Sequence, residues 1–139
     1  MALAGRLHPV LVHFPIALLI MAAAAEGVVC VAGDERWRLV ARVSLRAGAV
    51  AAVAAAVAGW LFAAEPSIDP APALEWHRWL GTAVAVLASL AAIAGVAATP
   101  KHSRATWLYR TCLFGAGALI PITGHLGGVL VWGADFLHL

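Results

Sequence analysis

Four long apolar stretches limit this chain to very few folds. They run from about Val10 to Ala32, Leu39 to Ala64, His77 to Ala98 and Trp107 to Trp132. A helix needs roughly 20 mostly apolar residues to cross about 30 Å of hydrocarbon, and each stretch meets that length. All four are rich in Ala and Leu and lack the apolar/polar alternation of a membrane barrel. The 139 residues are 63% hydrophobic and 12% charged, whereas soluble domains run near roughly 50% and 25%. The expected fold is all-α: a single transmembrane domain over residues 1–139, an antiparallel four-helix bundle. A formal charge of +2 without a basic run argues against a nucleic-acid partner.

The breaks between the stretches are short. Gly33-Asp34-Glu35-Arg36-Trp37-Arg38 is a polar turn, the segment Glu65 to Pro72 holds three prolines, and Thr99-Pro100-Lys101-His102-Ser103-Arg104 closes the third stretch. Such short connections make the helices up-down-up-down neighbours. The segment Met1 to Leu7 does not read as a signal peptide, because His13 and Pro15 interrupt the apolar run and no small-residue cleavage site follows. Arg36, Arg38 and Arg42 cluster at the first turn, and Lys101, Arg104 and Arg110 at the third. Basic residues mark the cytoplasmic side, so both termini are expected outside, in a multi-pass protein of the bacterial inner membrane.

Small residues at spacing four, Gly48, Ala52 and Ala56 beside Ala51, Ala55 and Gly59, suit close helix packing in lipid. An alanine-rich composition accounts for the same run equally well. Cys30 and Cys112 suggest no disulfide and read as small buried residues. Glu26, the single carboxylate inside an apolar stretch, is expected to pair with Arg42 or Arg46. Pro15 frees a carbonyl near residue 11, and Pro121 should kink the fourth helix.

Six histidines stand out beside seven carboxylates. His8, His13, His77, His125 and His138 fall toward the outer side, and only His102 toward the cytoplasm. At a rise of ~1.5 Å per residue, His13 lies about 7–8 Å below His8, and His125 about 10 Å below Trp132. His13 and His125 are therefore at similar depth on helices one and four, with His8 and His77 nearer the interface. Imidazole inside a membrane is costly unless it is paired, faces a cavity or binds something. One histidine alone would most simply be a hydrogen-bonded structural residue. Two at matched depth on neighbouring helices suit the axial ligands of a haem b. The candidate ligands are His13 and His125, with His77 as substitute and His8 beside it. Gly124 and Gly128 bracket His125 and allow close approach of a helix or a flat macrocycle. Arg6 and Arg78 are placed to pair with haem propionates. Trp76, Trp79 and Trp132 fit an interfacial aromatic belt.

The segments His8-Pro9 with Val12-His13-Phe14-Pro15-Ile16, then His77-Arg78-Trp79-Leu80-Gly81, then Gly124-His125-Leu126-Gly127-Gly128 resemble a family of small bacterial four-helix membrane proteins catalogued as a domain of unknown function. The resemblance covers nearly the whole chain. That family is often encoded with, or fused to, cytochrome c-like modules, which implies electron transfer. Its members carry a further histidine where this chain has Trp132, so the resemblance implies fewer metal centres here.

The leading expectation is a haem-binding electron-transfer subunit without independent catalysis, exchanging electrons with cytochrome c-like or dehydrogenase subunits. A histidine copper or zinc site, a quinone pocket, and a cofactor-free anchor or assembly subunit stand beside it. The lipid bilayer is one partner, and a second copy of the chain is admitted. Paired carboxylates or broken-helix repeats that would suggest a transporter are missing, as are a P-loop and a nucleophile–base arrangement.

Overall fold

The computed structural model describes residues 5–68, 70–98 and 103–135. His102 and His138 lie outside them. The first span consists of a short helix α1 (His8–Leu11) and α2 (His13–Ala32). Next come α3 (Trp37–Ala63), α4 (Pro72–Ala97) and α5 (Arg104–Trp132). Four spans are long and apolar enough to cross a membrane, and no strand occurs among the described residues. The protein is a multi-pass membrane protein in contact with lipid, as the composition predicted.

The division at Val12 is one of bonding rather than direction. Pro15 has no N–H to give to residue 11, while Val12 keeps helical angles of φ −63° and ψ −25°. Gly33 ends α2 in the left-handed region at φ 67°, its N–H returning to the Val29 carbonyl. That conformation is cheap for glycine alone. The third span starts five residues before the expected His77, at Pro72, because proline is favoured in the first helical turn and Ala71 before it is extended. The fourth starts at Arg104, where the Ser103 side chain accepts the Thr106 N–H at 3.1 Å, a serine N-cap. α5 runs unbroken through Pro121.

The spans pack in chain order around a ring. α2 lies on α3, α3 on α4, α4 on α5, and a lighter seam between α2 and α5 closes the bundle. Spans one and three are thus diagonal. Leu19, Ala22, Leu45, Ala88, Ala91, Leu113 and Ala116 fill the centre. The small-residue faces of α3 turn inward, with Gly48, Ala52 and Ala55 buried. A Cβ on Gly48 would lie 2.8 Å from Leu19 Cδ2, so a side chain here would force Leu19 to shift, and glycine allows the close approach. Cys112 is buried as expected but Cys30 is exposed, and both are free thiols.

Candidate functional site at the histidine end of the bundle

One end of the bundle gathers the start of span one, the end of α3, the start of α4 and the end of α5. Here His8 and His77 repeat a single device. The His8 ring lies against Gly59, whose Cβ, if present, would be 2.9 Å from His8 Cε1. Its Nδ1–H donates to the carbonyl of Ala55 at 2.8 Å. The His77 ring lies against Gly127, where a Cβ would be 3.1 Å from His77 Cε1. Its Nδ1–H donates to the carbonyl of Thr123 at 2.9 Å. In each hairpin the accepting carbonyl belongs to the residue one helical turn before the glycine. The two bonds bridge 47 and 46 residues respectively. Glycine removes the side chain that would keep the imidazole away from the backbone, and a carbonyl only accepts. Both Nδ1 atoms therefore carry the proton, and in the neutral rings the Nε2 atoms hold the free lone pairs.

The two rings also meet each other. Their centroids are 5.9 Å apart with planes at 87°. This contact crosses the diagonal of the ring of helices, which is where the sequence reading differs most from the geometry: it looked for a pair on neighbouring helices. His13 and His125 are both exposed, on the outside of the bundle. Their depths do agree. Ala23 and Gly117 are level, since a Cβ on Gly117 would be 3.3 Å from that of Ala23. From that level His13 lies ten residues and His125 eight residues toward the same end, about 15 and 12 Å.

The other expected residues surround the pair unevenly. Arg78 places its guanidinium 4.2 Å from the centre of the Trp60 ring, a cation–π contact. Its Nε is buried and has no hydrogen-bond partner. Trp60 donates to Thr82 Oγ1 at 3.0 Å and meets Trp79 edge to face at 5.3 Å. Trp60 and Thr82 were missed by sequence reasoning, and no spacing of theirs would have singled them out. Arg6 is largely exposed and reaches Glu65 at 3.7 Å, while Glu65 Oε1 is buried and unpartnered. Gly124 is exposed, with open space where its Cβ would stand, and Gly128 is buried. Trp76, Trp79 and Trp132 are exposed, as an interfacial belt requires.

The opposite end corrects one expectation. Fully buried Glu26 pairs neither with Arg42 nor with Arg46. It accepts from Tyr109 Oη and Arg110 Nε, each at 2.9 Å, and lies 3.5 Å from Arg38. Arg110 and Tyr109 arrive from α5, so this carboxylate ties spans one, two and four together. Arg42 instead donates to the Ala98 carbonyl at the end of α4, at 2.9 Å.

Among the described residues no three His, Cys, Asp or Glu side chains come together in a metal-binding group. The model of a family described as a predicted membrane protein (DUF2231) matches residues 5–136. No curated protein matches the chain, and no solved structure does.

Proposed function

We propose that this chain, which belongs to the DUF2231 family of predicted membrane proteins, is a haem b-binding electron-transfer subunit in which His8 and His77 would hold the haem iron. The observation that carries this reading is the pair of imidazoles tied through Nδ1 to main-chain carbonyls and meeting 5.9 Å apart. Metal-ligating histidines donate their other ring nitrogen in this way, which fixes tautomer and orientation. Haem iron asks the protein for two axial groups at most. A bare zinc or copper ion takes about three or four protein ligands, and no third joins these two among the described residues. The donor set therefore suits haem better than a naked ion. The unpartnered Arg78 Nε is a donor suited to a propionate, and Arg6 stands at the same end.

When bound, haem supplies one-electron redox chemistry. The chain's own residues hold two imidazoles in one tautomer and offer cations at the bundle end. In this reading the histidine end faces the periplasm from a bacterial inner membrane and trades electrons with a cytochrome c-like or dehydrogenase subunit. A second reading puts the ligands at His13 and His125, and their matched depth favours it.

The absorption spectrum of the purified chain, produced with ample haem, tests the proposal. The Soret and α bands of a six-coordinate low-spin haem are expected. Haem-free protein carrying copper, zinc or an extractable quinone, or no cofactor at all, overturns it.

A further inference from the structure

We infer that the seam between α3 and α4 binds one anionic phospholipid, with Arg42 and Arg46 holding its phosphate. The two arginines stand one turn apart on α3, beside Leu45, Ala92, Gly95 and Tyr109, with no water-sized space enclosed between them. Arg46 lies nine residues inside the helix that starts at Trp37, about 14 Å along its axis. A charge at that depth is costly unless something answers it. Among the described residues no carboxylate forms a hydrogen bond or ion pair with Arg42 or Arg46. At this end of the bundle the acids are Glu26, Asp34 and Glu35. Glu26 is taken by Tyr109, Arg110 and Arg38, Asp34 by Arg36, and Glu35 by Arg38. Arg42 has one bond, to the Ala98 carbonyl, and its Nε is buried without a partner. Arg46 is exposed.

The same seam carries a second, independent feature. Beyond the arginines, toward the histidine end, an apolar groove of about 520 Å³ lies between α3 and α4. It begins at Val53, seven residues past Arg46 or about 10 Å along the helix, and at Leu90 on α4, and continues past Val57 to Leu61 and Thr82. A pair of cations on the seam followed by an apolar furrow matches a phosphate followed by an acyl chain. Basic pockets between transmembrane helices on the cytoplasmic side are established binding sites for anionic head groups.

Native mass spectrometry of the full chain in mild detergent tests this, titrating phosphatidylglycerol against phosphatidylcholine of the same acyl chains. The chain is expected to retain phosphatidylglycerol with about tenfold preference or more, given the strength of basic–anionic lipid attraction. Arg42→Gln/Arg46→Gln should abolish the preference, while Arg36→Gln/Arg104→Gln, altered at exposed positions in the first turn and at the start of α5, should keep it. Should the double variant fail to fold, Arg46→Gln alone is expected to lower the preference about threefold, and circular dichroism confirms its helix content. An unchanged preference in Arg46→Gln, a preference that follows Arg36 and Arg104 instead, or equal retention of both lipids overturns the inference. So does displacement of the lipid by millimolar inorganic phosphate alone, since the apolar furrow would then contribute nothing.

Discussion

His8 and His77 meet with their ring planes at 87° across the diagonal of the bundle, and each is anchored by its Nδ1 to the helix beside its own. The arrangement links all four spans at one end: span one to α3, α4 to α5, and the two hairpins to each other through the rings. Each of these part-buried hydrogen bonds is worth about 1 kcal/mol net. Its larger effect is positional, because it fixes where the two Nε2 lone pairs lie.

Gly59 and Gly127 are the seats of this arrangement, and adding one methyl group to each tests it. Gly59→Ala would bring a Cβ to 2.9 Å from His8 Cε1, closer than real contacts allow, and Gly127→Ala to 3.1 Å from His77 Cε1. Overpacking costs about 1–3 kcal/mol, and the helix preference of alanine returns up to about 1 kcal/mol. Gly59→Ala should lower thermal stability in detergent and weaken haem retention, with Gly127→Ala doing so less. Gly27→Ala, where a Cβ meets nothing within 4 Å, should be neutral or slightly stabilising. Equal melting temperatures for all three variants would contradict the seating.

At the other end, Glu26 answers two arginines and a tyrosine while fully buried. Removing one member of a buried charge pair costs about 3–5 kcal/mol, because the remaining charge is left uncompensated. Glu26→Ala should destabilise the protein by that amount in denaturant melts. Tyr109→Phe, which removes one hydrogen bond to a charged group, should cost about 1.5–3 kcal/mol. The two effects should be less than additive in a double variant, since both act on one network.

Orientation is open to direct labelling. In a Cys30→Ser background, Ser67→Cys in the loop before α4 should react with a membrane-impermeant maleimide added to intact cells. Asp34→Cys, in the turn after α2, should react only after permeabilisation. The reverse pattern would place the histidine end in the cytoplasm.

The number of spans, their order and their neighbours were legible from hydropathy, because runs as apolar as residues 10–32 have no stable place outside lipid or a core. Helix ends were less legible. The start at Pro72 depends on proline's fixed φ, which favours a first turn as readily as it breaks an interior one. The depth of His13 and His125 was legible from the helical rise. Their position outside the bundle was not, because an alanine-rich helix has apolar residues on every face and no stripe marks the interior. The partners of Glu26 were missed for a similar reason. Arg42 and Arg46 lie in the same half of the bundle, but rotation about α3 directs them to the α4 seam and leaves Arg38 to meet the carboxylate.

The most direct measurement is the reduced-minus-oxidised spectrum of four purified variants: His8→Ala, His77→Ala, His13→Ala and His125→Ala. Loss or high-spin conversion of the low-spin haem bands is expected in the first two, with helix content preserved, and intact bands in the last two. Bands that survive in His8→Ala and His77→Ala but vanish in His13→Ala and His125→Ala would contradict the assignment and move the iron to the outer pair.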